Sequence, residues 1–122
     1  MALQESGEMY LETIYVLSRQ SGAVRAIDVG EYMGYSKPSV SRALGVLKDE
    51  GMVTRDEDGF LKLTKAGEKH AKSIYERHTL LTKLFIGLGV DEKTASEDAC
   101  RIEHYISDKT FNAIKKHAKK YG

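Results

Sequence analysis

Apolar residues recur in the first part of the chain at the three- to four-residue spacing that is typical of amphipathic helices. A first helix is predicted over Glu8–Arg19, where the apolar stripe consists of Tyr10, Ile14 and Leu17. A short second helix is predicted over Ala26–Met33. A third is predicted from Ser36 to a point before Gly51, and its inward-facing residues are Val40, Ala43, Leu44 and Leu47.

The connection between the second and third predicted helices has the chemistry of a helix start. Gly34 permits a tight turn, Ser36 can accept a hydrogen bond from a backbone N–H, and Pro38 lies where no backbone donor is needed. Two extended runs follow, Met52–Arg55 and Phe60–Leu63, and the Asp-Gly pair between them is typical of a hairpin turn. Three helices and a hairpin predict a winged helix-turn-helix.

The second half of the chain is predicted to be helical throughout. Thr64 can cap a long helix that runs to about Ile86, and its apolar positions are Ala71, Ile74, Tyr75, Leu81 and Phe85. Beyond a glycine-containing break, Asp91 can cap another helix, predicted over Thr94–Ile106. The fold class is therefore mainly α: an N-terminal winged helix-turn-helix of three helices plus a β-hairpin wing, followed by an all-helical region.

Composition narrows the class of protein. The 122 residues are about the length of one domain, and 41% apolar with 30% charged residues excludes a disordered chain. The net charge of +1 means that a nucleic-acid partner must be recognised locally. No apolar stretch approaches the roughly 18 residues of a membrane-spanning helix, and Met1–Gly7 has no signal-peptide pattern, so we expect no membrane partner and a cytoplasmic location. The single Cys100 excludes an internal disulfide.

The start of the third predicted helix is basic and rich in hydroxyl groups. From Ser36 to Lys48 there are three basic residues and no acid, and in a helix-turn-helix this end enters the major groove. Arg42 lies one turn into the helix, where its guanidinium could reach a guanine edge. We predict that these residues contact double-stranded DNA: Arg25, Ser36, Lys37, Pro38, Ser39, Ser41 and Arg42. The alternative is a solvated helix face with ordinary serine caps. For Lys48, DNA contact and a solvated position are equally supported.

Residues able to bind a metal ion occur at helical spacing in two predicted helices. The later helix carries a thiol, a carboxylate and an imidazole that can point at one ion: Cys100, Glu103 and His104. Met9 and Glu12 lie one turn apart on the first helix and project away from its apolar stripe. His78 lies inside an apolar stripe, where a hydrogen-bonded core histidine is the ordinary interpretation. Each group alone can be explained without a metal, but the three groups together favour a metal site.

Five segments, in order along the chain, carry a resemblance to a known family: Glu8–Tyr15, Ser36–Arg42, Leu63–Gly67, Arg77–His78 and Ala99–His104. They resemble the DtxR/MntR family of iron- and manganese-dependent repressors, and the match covers nearly the whole chain. The resemblance implies a homodimer, with an operator-binding winged helix at 1–72 and a dimerisation and metal-binding region at 73–122, joined by a shared helix at 65–86. It also implies the short form of the family, without an SH3-like third domain.

The resemblance implies a ligand set as well: Met9, Glu12, His78, Cys100, Glu103 and His104. Met9 and Cys100 stand where manganese-type members have carboxylates, and sulfur ligands favour softer, later metals than Mn²⁺. We therefore expect Fe²⁺ first and Mn²⁺ next, with Co²⁺, Ni²⁺ or Zn²⁺ as substitutes. Thr82 and Ser96 are poor ligands at two further iron-type positions, so a second ion would need a rebuilt site or a carboxylate such as Glu97.

The functional hypothesis is that a divalent ion joins the first helix to the second region, promotes operator binding by the dimer and so represses metal-uptake genes. A regulator of the same fold that responds to the redox state of Cys100, or to another ligand, is the alternative. A cysteine hydrolase using Cys100 and His104 is disfavoured, because no glycine-rich turn beside Cys100 could form an oxyanion hole. We therefore expect no enzymatic activity. His70 and His117 are expected to be solvated.

Overall fold

A computed structural model of the chain describes residues 5–121 and the side chains of 6–120. In this range the helices and strands are α1 (Glu5–Ser21), β1 (Val24–Arg25), α2 (Ala26–Met33), α3 (Lys37–Asp49), β2 (Val53–Arg55), β3 (Phe60–Leu63), α4 (Lys65–Gly87), α5 (Glu92–Ile102) and α6 (Asp108–Tyr121). The predicted fold class, mainly α with a winged helix-turn-helix, is confirmed. Residues 1–4 and 122, which enter the expectations about the two chain ends, lie outside the described range. The chain divides into two compact units, Met1–Lys72 and Ser73–Gly122.

The first unit encloses one apolar core to which all of its helices and strands contribute. Its most deeply enclosed side chains are at most 1% exposed: Leu11, Ile14, Val24, Val29, Leu47 and Ala71. Burying one Val, Leu or Ile side chain stabilises a fold by roughly 1.5–3 kcal/mol. The predicted stripes of the first and third helices, including Ile14 and Leu47, therefore hold α3 in place.

The turn between α2 and α3 forms as its residues predict. Gly34 ends α2 in the left-handed region, with a φ of 73°, which a residue with a side chain rarely adopts. Ser36 caps α3, and its Oγ accepts a hydrogen bond from the backbone N–H of Ser39 at 3.4 Å. Pro38 lies in the first turn of α3, where a helix has no use for its missing N–H. The start of α3 is thus fixed by local chemistry.

The three strands form an antiparallel sheet in the order β1-β3-β2. Leu61 of the central strand pairs with Val24 on one side and with Arg55 on the other. In the predicted hairpin turn, Asp56 Oδ1 accepts hydrogen bonds of 2.9 Å from the backbone N–H groups two and four residues later. The sequence did not predict β1, because a strand of two residues is too short to show an alternating pattern.

The second unit packs the later part of α4 against α5 and α6. Its buried apolar side chains are Ile74, Leu81, Ala95, Ala99 and Phe111. Asp91 caps α5 as predicted, and its Oδ2 accepts a hydrogen bond of 3.0 Å from the backbone N–H of Thr94. No helix in the described range is long and apolar enough to span a membrane.

The end of α5 differs from the sequence prediction. The helix was predicted to continue to Ile106, but it ends at Ile102, and the next three residues form a turn. The backbone N–H groups of Tyr105 and Ile106 both donate to the carbonyl of Ile102, at 2.9 and 3.0 Å. Arg77 of α4 donates to the carbonyls of Glu103 and Ile106, at 3.3 and 2.8 Å. Because Arg77 is distant in sequence, local periodicity could not indicate this helix end.

Candidate metal centre and nucleic-acid interface

Three of the predicted ligands meet where α5 ends. One ligand atom from each of Cys100, Glu103 and His104 lies within 4.8 Å of the other two. Cys100 belongs to the last turn of α5 and is half-buried, whereas Glu103 and His104 belong to the turn that follows, and their side chains are 0% exposed. The predicted group therefore forms, although it is built by a helix end and a turn instead of one continuous helix.

Glu103 is the centre of this group. Its Oε2 lies 2.9 Å from His78 Nδ1, and its Oε1 lies 3.3 Å from His104 Nε2. Oε1 is fully enclosed and accepts no hydrogen bond from the described part of the chain. A buried carboxylate is costly unless opposite charge or hydrogen bonds compensate it. An enclosed carboxylate with a thiol nearby and an imidazole beside each oxygen therefore fits a divalent cation.

His78 joins the cluster from α4. Its second nitrogen, Nε2, lies 3.5 Å from Ser96 Oγ, and its own carbonyl accepts a hydrogen bond of 2.7 Å from Thr82 Oγ1. The hydroxyl of Thr82 is thus directed at the helix backbone, while Ser96 faces the His78 ring. Glu97 is exposed and belongs to no group of three donor residues in the described range. Nothing in this range gathers around Glu97 to make a second centre.

Arg77 supports the turn that carries Glu103 and His104. Besides its bonds to the two turn carbonyls, its guanidinium pairs with the carboxylate of Asp108 and lies 5.3 Å from the centre of the Phe111 ring. These contacts fix the backbone on both sides of His104. Sequence reasoning marked Arg77 only as part of a motif with His78. The missed signal was the arginine next to His78 in the sequence, because arginine side chains can bind the free carbonyls at a helix end.

The two remaining predicted ligands lie on α1. Met9 and Glu12 are both half-buried and stand one turn apart, and the carbonyl of Met9 accepts a hydrogen bond of 2.8 Å from Thr13 Oγ1. Their role as ligands stays a prediction. On the same helix, Glu8 Oε2 lies 2.7 Å from His70 Nε2, and the two side chains are 16% and 29% exposed. The expectation that His70 is merely solvated was therefore wrong.

The predicted DNA-contacting residues of α3 lie mostly at the surface. Those that are exposed are Ser36, Lys37, Pro38, Ser41 and Arg42. Ser39 is half-buried, and its hydroxyl accepts a hydrogen bond of 3.0 Å from Ser36 Oγ, so it belongs to the cap of the helix. Arg25 is exposed, with its guanidinium 4.4 Å from the centre of the Phe60 ring. The exposed set presents two positive charges and two hydroxyls at one end of α3.

Tyr10 links α1 to the turn that precedes α3. Its ring lies 5.9 Å from that of Tyr35, measured between ring centres. Burial raises the pKa of Tyr10 above its ordinary value, the neighbouring phenol of Tyr35 raises it further, and the positive charge of Arg42 opposes both effects. The tyrosine therefore stays neutral at physiological pH and acts through packing.

Two cavities flank α3 on the surface of the first unit. One, of about 490 Å³, lies between α2, the turn and the start of α3, and the other, of about 230 Å³, lies between α3 and the sheet. Arg55 and Ser41 line both. Sequence reasoning missed Arg55, which it treated only as the end of a strand. The signal that could have found it is the one charged residue of β2, at the end of the strand.

Comparison with known proteins covers nearly the whole chain. Residues 2–61 match the family described as iron dependent repressor, N-terminal DNA binding domain, and residues 64–121 match iron dependent repressor, metal binding and dimerisation domain. The transcriptional regulator MntR of Escherichia coli O157:H7 is 33% identical over 113 residues, which are 93% of this chain and 73% of that protein.

Two further matches are longer proteins. The diphtheria toxin repressor of Corynebacterium diphtheriae is 30% identical over 115 residues, which are 93% of this chain and 51% of the repressor. The structure of the manganese regulator SloR superposes with a TM-score of 0.81 at 30% identity, over 98% of this chain and 55% of that one. This chain spans about half the length of both.

Proposed function

The chain belongs to the iron-dependent repressor family, and from this premise we propose that it is a metal-dependent transcriptional repressor that binds operator DNA as a homodimer. The observation that carries the proposal is the enclosed carboxylate of Glu103, with Cys100 Sγ and His104 within 4.8 Å and His78 Nδ1 at 2.9 Å. Burying these polar groups together costs free energy in an apolar core, whereas the same donor atoms bind divalent metal ions well.

We propose Cys100, Glu103 and His104 as ligands, together with His78, and Fe²⁺ as the favoured ion with Mn²⁺ next. A bound divalent ion supplies positive charge beside the enclosed carboxylate, whose neighbouring imidazoles carry charge only when they are protonated. The thiol of Cys100 disfavours the binding of Mn²⁺, because sulfur ligands bind softer metals better. Met9 and Glu12 are the further ligands that the resemblance predicts.

The proposed coupling to DNA follows from order in the turn after α5. Glu103 and His104 lie on the turn whose carbonyls accept hydrogen bonds from Arg77. The proposed ligands and the residue that supports them therefore belong to one connected set of contacts. We propose that loading the site reduces the conformational freedom of this segment, and that operator binding needs the same order, so that the metal-loaded protein loses less freedom on DNA. By linkage, operator DNA must tighten metal binding by the same factor.

Exposed apolar side chains support a homodimer formed by the second unit. Leu88 and Tyr105 are each 74% exposed, and Ile86 is 44% exposed. Exposed apolar side chains of this size are available for a subunit contact, in agreement with the match of residues 64–121 to a metal binding and dimerisation domain. A dimer would also present two copies of α3, as recognition of two half-sites one helical turn apart requires.

The testing experiment is a DNA-binding titration on a promoter fragment from a metal-uptake operon, with Fe²⁺, Mn²⁺, Co²⁺ and Zn²⁺ in turn. Glu103→Gln is the test variant and Glu97→Gln the matched control, because both remove one carboxylate charge and Glu97 is exposed. We expect Glu103→Gln to raise the metal concentration for half-maximal binding by at least about 100-fold, and Glu97→Gln to leave it unchanged.

Two outcomes would contradict this proposal. If wild-type affinity for the fragment did not rise with any of the four ions, metal would not be the effector. If blocking the Cys100 thiol switched DNA binding in metal-free protein, the redox regulator would be the better description. A Cys100→Ala variant separates the two, since it abolishes thiol chemistry and only weakens the proposed metal site.

A further inference from the structure

Arg55 ends a row of side chains that otherwise belongs to the core. In the sheet, Leu61 pairs directly with Val24 and with Arg55, and directly paired residues point to the same face. Val24 and Leu61 are 1% and 5% exposed, so this face is the one that packs inward. Arg55 is exposed because β2 is an edge strand that ends there. Its side chain therefore leaves the sheet on the side of α3.

The cavities beside α3 place Arg55 next to the predicted DNA contacts. Arg55 and Ser41 together line both the cavity of about 490 Å³ and that of about 230 Å³. Lys37 lines the larger one as well. Among the described residues, Arg55 forms no ion pair with a carboxylate. Its charge is thus available at the flank of the recognition helix.

The distribution of charge in the wing also favours Arg55 as a phosphate contact. The hairpin turn carries three successive carboxylates, Asp56, Glu57 and Asp58, which repel phosphate. Met1–Lys72 as a whole has ten Lys and Arg against eleven Asp and Glu. DNA binding by this unit therefore depends on where its cations lie, and the hairpin at 53–63 has two: Arg55 on the face of Val24 and Leu61, and Lys62 on the opposite face.

We propose that Arg55 binds a DNA phosphate beside α3 and so sets how the helix lies in the major groove. Arginine suits this role because its planar guanidinium can donate two parallel hydrogen bonds to one phosphate. Contacts of this kind fix register and orientation without reading sequence. The inference rests on the proposed function, because it assumes that α3 is the recognition helix.

The experiment compares wild type, Arg55→Ala and Lys62→Ala in operator binding between 50 and 200 mM KCl, with the ion that gives the strongest binding in the titration above. Lys62 is the matched control, because it is exposed, pairs with Thr54 on the opposite face of the same hairpin and carries the same charge. A scrambled duplex of equal length is the second probe. Arg55→Lys is included as a variant that keeps the charge.

We expect Arg55→Ala to reduce the slope of log affinity against log salt by about 0.9 per subunit, or about 1.8 per dimer. The defect should then shrink about twelvefold between 50 and 200 mM salt, and it should be equal on operator and scrambled DNA. Lys62→Ala should keep the wild-type slope, and Arg55→Lys should restore most of it.

Equal slopes for Arg55→Ala and Lys62→Ala would overturn the inference, and so would a defect confined to the operator, which would indicate a base contact. Thermal unfolding checks that Arg55→Ala is folded, and Arg55→Gln, which keeps most of the side-chain stem, replaces it if it is not. If the wild type failed to bind DNA at all, the proposed function would be at fault. Wild-type binding with an unchanged slope for the variant would refute the role of Arg55 alone.

Discussion

Gly67, in the first turn of α4, tests how the first unit is packed. A Cβ added at this position would lie 1.9 Å from the carbonyl oxygen of Met52 and 2.8 Å from its carbonyl carbon. Both are backbone atoms next to the start of β2, so they cannot move aside as the end of a flexible side chain would. The substitution Gly67→Ala therefore forces α4 away from the base of the wing.

The magnitude follows from what that displacement breaks. Real Cβ contacts stay beyond 3.0 Å, so the Met52 carbonyl must move by more than 1 Å relative to α4. That carbonyl accepts a hydrogen bond of 3.0 Å from the backbone N–H of Thr64, which would lengthen past its useful range. Overpacking costs roughly 1–3 kcal/mol. The lost hydrogen bond, about 1 kcal/mol, is offset by the better helix propensity of alanine, also about 1 kcal/mol.

The assay is equilibrium urea unfolding of the metal-free protein at one fixed concentration. We expect Gly67→Ala to lower the free energy of unfolding by about 1–3 kcal/mol, and hence the midpoint by about 1 M. Gly45→Ala is the matched control, because a Cβ there meets nothing within 4 Å in the interior of α3, and it should stabilise by about 0.5–1 kcal/mol. If Gly67→Ala proved as stable as Gly45→Ala, the close approach of α4 to Met52 would be refuted.

Three further predictions concern the second unit and the metal. Arg77→Lys should raise the metal concentration for half-maximal DNA binding by about 10–100-fold, because one ammonium nitrogen cannot replace two guanidinium nitrogens that hold the two turn carbonyls and the Asp108 carboxylate at separate places; an unchanged metal titration would show that the turn needs no such support. The hydrogen bond from Thr94 lowers the pKa of Asp91, so Asp91 contributes stability above the unfolded pKa of about 3.9 that is lost as pH falls through the lower folded value. Urea unfolding should therefore show wild type more stable than Asp91→Asn at pH 7, with a gap that closes toward pH 2, and a gap independent of pH would contradict this. Replacing Met9 by Asp together with Cys100 by Glu should move the preference from Fe²⁺ toward Mn²⁺ in the DNA-binding titration, and equal loss for both ions would count against the assigned ligand roles.

The parts of the fold that the sequence predicted are those set by neighbours in the chain. The start of α3 depends on Gly34, Ser36 and Pro38, which lie within five residues of one another, and the structure has the predicted cap. The hairpin turn depends on Asp56 and on Gly59, three residues later. Local hydrogen bonds of this kind need no tertiary context, so residue type and spacing are sufficient to predict them.

Most of the missed features depend on contacts that the local periodicity of the sequence does not record. The end of α5 is determined by Arg77, which is 26 residues from Glu103. The Glu8–His70 contact joins residues 62 positions apart. Arg55 acquires its direction from pairing with Leu61 at the edge of the sheet. Periodicity describes which face of a helix or strand is apolar, but not which charged side chain another segment brings against it.

The position of the proposed metal ligands follows from the same long-range contact. Only a helix that continued from α5 into α6 would satisfy the carbonyls of Glu103 and Ile106 internally, whereas the observed turn leaves them to Arg77. The next residue of α4, His78, contacts the carboxylate of the same Glu103. One segment of α4 therefore fixes both the backbone and the side chain of Glu103. Since a buried carboxylate with an unsatisfied oxygen destabilises the metal-free fold, a cation that compensates it can favour the ordered turn over its alternatives.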